Sequence, residues 1–183
     1  MDVMIREVLT FYEVFRKGGS DPLPPLAIHY KDYATWQQSQ LEEENILPHR
    51  NYWLQRFQDE IPVLELPLDY PRPTEKSYQG GIVRFTIDAI NVKGLEAIAL
   101  QQDATLFMSL LAVMNTLLFR YTGQEDIVIG SPVAGRDHVA LENQIGFYVN
   151  TLALRTQFNG TDTFNEVMEK TRATALEAYN HQI

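Results

Sequence analysis

Four histidines are the first candidates for chemistry, because an imidazole is the side chain most ready to exchange a proton near neutral pH. They stand at His29, His49, His138 and His181, and none has a partner at a spacing that would make it a general base. His29 follows a proline loop, His49 follows Pro48 at a helix start, and His181 sits near the chain end; all three read as structural or solvated. His138, in Gly135-Arg136-Asp137-His138, reads as part of a charged surface loop. The run Gly130-Ser131-Pro132-Val133-Ala134-Gly135-Arg136 imitates two functional turns and completes neither. Val133 stands where a nucleophile elbow needs glycine, and the Lys-Ser/Thr ending of a phosphate loop is missing. No histidine–carboxylate set is spaced for a metal, and no dinucleotide fingerprint exists. The absence of cysteine excludes a thiolate nucleophile, a zinc–thiolate site and a disulfide framework.

The elements that would position any site alternate between helix and strand. Met1, Met4, Ile5, Val8, Phe11, Tyr12 and Phe15 recur at helical spacing, and Gly18-Gly19 stops that helix. Residues 30–57 read as helix, broken or kinked around Pro48. Prolines at 62, 67, 71 and 73 then impose an extended strap. Val83, Phe85 and Ile87 alternate with polar residues as in a half-buried strand. Asn91 is the expected cap of a helix to about Gln102. Thr105 is the expected cap of a second, nearly all-round apolar helix that belongs in the core and ends at Gly123. Residues 126–133 read as a strand buried on both faces and 147–158 as a long β-rich run. Thr163-x-x-Glu166 is a capping box opening a final helix.

The class is therefore α/β. The 183 residues carry 15 basic and 24 acidic side chains, 15 − 24 = −9. The resulting pI near 4.9 gives nucleic acid or an anionic membrane no electrostatic reason to bind. The most apolar window, 106–119, is shorter than the ~20 residues of a spanning helix. With no targeting signal at the N-terminus, a cytoplasmic domain is expected. Because the chain starts inside an amphipathic helix and stops without a polar tail, it is expected to be an excised piece.

Four segments, taken together and in order, resemble the condensation domains of nonribosomal peptide synthetases. Tyr30-Lys31-Asp32-Tyr33-Ala34-Thr35-Trp36 matches the family's Y-x-D-Y-A-x-W motif. Ile145-Gly146-Phe147-Tyr148-Val149-Asn150-Thr151-Leu152-Ala153-Leu154-Arg155 matches I-G-x-F-V-N-T-L-x-x-R, with Tyr148 at the aromatic position. Residues 66–73 and 126–136 are equally typical. The family's catalytic H-H-x-x-x-D-G motif has no match here, so no catalytic residue is assigned. The later H/N-Q-D motif is met as His181-Gln182, with Ile183 in place of Asp.

The resemblance implies a chloramphenicol acetyltransferase-like fold, of which this chain is mostly the second of two lobes. Residues 1–60 would end the first lobe, 61–79 would be the crossover strap, and 80–183 a second-lobe α/β sandwich truncated at both ends. It implies an amide-forming acyltransferase that joins an acyl or peptidyl donor to an aminoacyl acceptor, with the fragment itself inactive. No cofactor is bound directly and no metal is implied; the phosphopantetheine arms of carrier proteins present the substrates. The implied partners are peptidyl carrier proteins, adenylation domains and the missing first lobe, and self-association of the fragment is expected. The implied tunnel candidates are Ser131, Tyr148 and Asn150. Asn150 suits a pantetheine amide, or alternatively satisfies a backbone group at a strand irregularity. Phe147 is expected on the packed face opposite Asn150. Tyr30, Asp32, Tyr33, Trp36, Gly146 and Thr151 are motif residues, with Tyr33 and Trp36 read as packing aromatics. Arg136 and Arg155 are read as loop-tying or ion-pairing. The alternatives are a heterocyclisation domain and a non-catalytic carrier-docking module; the intact 145–155 motif disfavours an epimerisation domain.

Overall fold

The computed structural model describes residues 2–42, 44–75, 77–136 and 138–182. Met1 of the first helix, Asp137 of the charged loop and Ile183 of the last motif thus lie outside the described residues. The described chain forms two compact units interleaved in sequence. Unit one takes residues 1–55, 132–151 and 181–183, and unit two takes 56–131 and 152–180.

Among the described residues unit one contains the α-helices α1 (Asp2–Arg16), α2 (Tyr30–Glu42) and α3 (Ile46–Arg56) and a short 3-10 turn at Val139–Leu141. The expected apolar stripe of α1 exists, but none of its residues is buried. Val8 and Tyr12 are about 60% exposed, so much of the stripe stands in solvent. Gly18 takes a left-handed φ of 76° just past its end. The break between α2 and α3 falls before Ile46 rather than at Pro48, which sits in the first turn of α3. There the missing N–H of proline has no helical partner to lose.

Unit two holds the apolar core. α4 (Ala89–Gln101) packs on α5 (Leu106–Thr122), and α5 packs on α6 (Phe164–Tyr179). Between them lie Met108, Ala112, Ile127, Phe158, Val167, Met168 and Ala175, all buried. The cap of α4 is Asp88, whose carboxylate accepts from the Asn91 N–H at 2.8 Å. Asn91, the expected cap, is instead inside the first turn. Thr105 caps α5 by accepting from the Met108 N–H, and Gly123 closes it at φ 73°. The all-round apolar surface of α5 is not all buried: Leu110, Val113, Met114 and Leu117 remain exposed, because α4 and α6 cover one side of it. Thr163 and Glu166 form the reciprocal capping box of α6.

β1 (Asp126–Val133) and β2 (Asn150–Gln157) form a two-stranded sheet. They run antiparallel, with the Phe158 N–H donating to the Glu125 carbonyl at one end. β1 has the expected bounds, but Gly130 and Pro132 are exposed, so it is not buried on both faces. The half-buried strand expected at Val83–Ile87 does not form. Val83 is 89% and Phe85 83% exposed, and no ladder is made there among the described residues. Alternation specifies an extended backbone, but a strand also needs a neighbour for its N–H and C=O groups. Among the described residues no single helix is long and apolar enough to cross a membrane; α4 and α5 together reach that length and composition, bent by 105°.

β2 also starts three residues later than the β-rich run. Phe147 precedes it and is 78% exposed, whereas Tyr148, Leu152 and Leu154 are buried. The packed face is therefore the Tyr148 face, and the expected core role of Phe147 is corrected. Met168→Ala should cost about 2–5 kcal/mol of unfolding free energy in urea, as buried methionines do. Phe147→Ala should stay within about 0.5 kcal/mol, as exposed positions do. Equal losses would contradict this core.

Candidate functional site

The site candidate is a cavity of about 630 Å³ inside unit one. It falls in the size range of small-molecule sites. One wall is a face of α2. Asp32, Trp36 and Gln40 recur every four residues, with Tyr33 and Gln37 beside them, as helical geometry requires. The second wall comes from the loop between β1 and β2, with Gly135, His138, Leu141 and Tyr148, and from Asn150 at the start of β2, with Ile28 and Gln182 at the margins.

Tyr148 holds the two walls together. Its ring packs in a buried cluster with Tyr33 and Leu141, 4.7 Å from the Tyr33 ring and edge-on to Tyr30 at 5.3 Å. Its hydroxyl donates to the Gln144 side-chain oxygen, and the Gln144 amide donates to the Ile28 carbonyl. The Arg136 guanidinium lies 4.1 Å over the Tyr148 ring. The same guanidinium donates to the Leu141 carbonyl and, at 2.7 Å, to that of Gln144. Tyr30 donates to the Phe147 carbonyl at 3.0 Å. Burial pushes the Tyr148 hydroxyl above its ordinary pKa, against the Arg136 charge, which pulls it down. It is therefore a neutral donor near pH 7, not a base.

Two glycines permit this closeness. Gly135 takes φ +56°, and a Cβ there would run into the Tyr148 carbonyl. A Cβ on Gly146 would run into the rings of Tyr30 and Tyr148.

The polar inventory separates ties from free groups. The Asn150 amide donates to the Gln182 carbonyl at 3.2 Å, and its oxygen accepts from the Thr151 N–H at 2.8 Å. Of its two readings, the backbone tie is the one with partners, although Asn150 lines the cavity. Asp32 accepts from the His29 N–H at 2.9 Å, closing the start of α2. His138 accepts at Nδ1 from the Ala140 N–H, which puts the proton of its neutral form on Nε2. Among the described residues Gln37 and Gln40 bring side-chain amides to the cavity without a tie of this kind. Trp36 is 57% exposed and lines the cavity, which corrects its reading as a packing residue. Tyr33 is buried.

Ser131 lies buried on β1 in unit two and is not among the residues lining this cavity. Thr151 is exposed at the start of β2. Arg155, on β2 in unit two, is 4% exposed and grips Asp126, with Nε and Nη2 to the carboxylate at 2.6–3.1 Å. Its remaining donors reach the carbonyls of Arg56 and Glu60. Burial pushes the Asp126 carboxyl up, but hydrogen bonds from Arg155 and Gln157 and the arginine charges outweigh that and hold it below its usual value.

Sequence reasoning missed Gln37, Gln40 and Gln144. The first two were visible as companions of Trp36 on one helix face. Gln144 carries no pattern that could have found it. It also missed that His49 and His181 meet, with Nδ1 atoms 3.1 Å apart, because the pair is 132 residues apart in sequence.

Tyr148→Phe would leave the Gln144 oxygen without its buried donor and should lower unfolding free energy by about 1–3 kcal/mol. Gly135→Ala should cost about 1–3 kcal/mol through its strained φ. Gly80→Ala, with nothing near its would-be Cβ, serves as the neutral control. A Tyr148→Phe chain unfolding at the wild-type midpoint would show that the hydroxyl ties nothing.

A family model described as "Condensation domain" matches residues 1–183. Tyrocidine synthase 3 of Brevibacillus parabrevis is 43% identical over 180 residues, covering 98% of this chain and 3% of that protein. Bacitracin synthase 3 of Bacillus licheniformis is 43% identical over 182 residues, covering all of this chain and 3% of that protein. The chain thus spans only a small part of the length of these relatives. The X-domain in its solved complex with OxyB from teicoplanin biosynthesis superposes with a TM-score of 0.90 at 29% identity, over 99% of this chain and 41% of that one.

Proposed function

The chain belongs to the condensation-domain family, with that family's chloramphenicol acetyltransferase-like α/β fold, and from this premise we propose that it forms part of an amide-forming site in a nonribosomal peptide synthetase. In this reading, a carrier-tethered acyl or peptidyl donor is joined to a carrier-tethered aminoacyl acceptor. Residues 1–60 complete one lobe, 61–79 cross over, and 80–183 build most of the second. The partners are peptidyl carrier proteins and adenylation domains, and the setting is the cytoplasm. The observation that carries the proposal is the convergence of two separate family motifs, residues 30–36 and 145–155, on one cavity.

That cavity suits an uncharged, amide-bearing chain such as a phosphopantetheine arm. Trp36, Tyr33 and Tyr148 offer apolar contact, and Gln37 and Gln40 offer both donors and acceptors to amides. Within residues 1–183 no histidine motif of the family is matched. The role of this chain is therefore to hold and orient, the part of catalysis that comes from positioning.

A second reading has one specific observation behind it. The solved X-domain with a TM-score of 0.90 is in complex with another protein, OxyB, which favours as the second reading a non-catalytic module that docks carrier proteins.

The test uses two samples. The 183-residue chain alone should form no amide between carrier-bound aminoacyl groups. In a synthetase containing the chain, Trp36→Ala should lower kcat/KM about tenfold, ~1.4 kcal/mol of transition-state stabilisation, with unchanged thermal stability because Trp36 is exposed. Wild-type turnover in the variant would remove the cavity from the reaction. A synthetase that binds carriers but makes no amide would favour the docking reading.

A further inference from the structure

The Nδ1 atoms of His49, on α3, and His181 lie 3.1 Å apart, with the rings edge-on at 5.0 Å. At that distance one nitrogen must donate and the other accept, so the pair holds a single proton between its Nδ1 atoms. A neutral pair or a singly charged pair can do this; a doubly protonated pair presents two N–H groups to each other and cannot.

The surroundings fasten the segment that carries His181. The Tyr52 ring stacks on the His181 ring at 4.2 Å and 16°. The Trp53 indole donates to the His181 carbonyl at 2.9 Å. One residue on, the Gln182 carbonyl accepts from Asn150, and both Gln182 and Asn150 line the cavity. Among the described residues the titratable Tyr52 stacks on His181, and Arg50 is adjacent to His49 in the sequence of α3. Among the described residues neither imidazole makes an ion pair with a carboxylate.

We propose that His49 and His181 form a proton-operated latch that fastens residues 181–182 to α3 near neutral pH and releases them, and with them the Gln182 edge of the cavity, in mild acid. The consequence for substrate rests on the function proposed above; the latch itself does not. Burial first, and the His181 charge second, lower the His49 pKa. A lowered histidine binds its proton more tightly in the released state. The latch is therefore fully formed above the ordinary histidine value of about 6.5 and is lost as pH falls through the His49 value.

The test is NMR titration of the whole 183-residue chain from pH 8 to pH 5, with chelator present to exclude bridging metal. The expected result is a pH-dependent change in the His49 ring signals, together with loss of the latched Trp53 indole N–H shift over the same range. His49→Gln, which keeps an amide in place of the imidazole but cannot be charged, should remove the pH dependence of the Trp53 signal. A Trp53 signal that stays unmoved from pH 8 to pH 5 would overturn the proposal, and that wild-type result needs no variant to fold. Because the readout is structural, failure here would leave the amide-forming reading standing, and failure of that reading would leave the latch standing.

Discussion

Burial of the Tyr148 hydroxyl is the constraint on which unit one depends. A phenol taken out of water must find a partner, and here the partner is a glutamine side chain that is itself buried. That glutamine uses its other end on the Ile28 backbone, just before α2. The loop between β1 and β2 is thereby fastened to the helix that carries the other wall. Arg136 completes the arrangement by covering the ring and tying two carbonyls of the loop. Such networks specify one geometry because a half-satisfied version costs more than none. The cavity is the space left between the parts so fastened.

Unit two has its own fastening of the same kind. Arg155 uses its donors on one carboxylate and two carbonyls, joining β2 to β1 and to the chain that follows α3. Beside it Arg56 donates to Thr174 of α6. In both units the residues that make the family motif recognisable are largely ties: Tyr30, Asp32, Arg136, Gly146, Tyr148, Asn150 and Arg155. The groups free to meet a ligand, Trp36, Gln37 and Gln40, are mostly outside the motif letters.

That division explains what was legible in the sequence. Caps and stops announce themselves locally, so Thr105, Gly123 and the Thr163–Glu166 box were found where they act. The α/β class followed from the alternation of periods. Pairing is a long-range property, so the segment at Val83–Ile87 looked like a strand without having a neighbour. Alternation along 147–155 did not decide what is buried: Tyr148, Leu152 and Leu154 are, yet Asn150 on the same face is exposed and Arg155 on the other is buried, and the strand starts only at Asn150. Burial went to the tyrosine because Gln144 and Arg136 supply its partners, and neither is adjacent in sequence to the ring it serves. The same limit hid the His49–His181 pair.

On the function proposed above, the face of α2 that lines the cavity meets the tethered substrate. NMR titration of the 183-residue chain with pantetheine, the free form of the arm, tests it most directly. Shift changes should be largest at the Trp36 indole and the side-chain amides of Gln37 and Gln40, and a Gln37→Leu, Gln40→Leu chain should bind pantetheine several-fold more weakly while keeping its fold. Binding that spares these three side chains and perturbs another surface, or no binding at millimolar pantetheine, would contradict it.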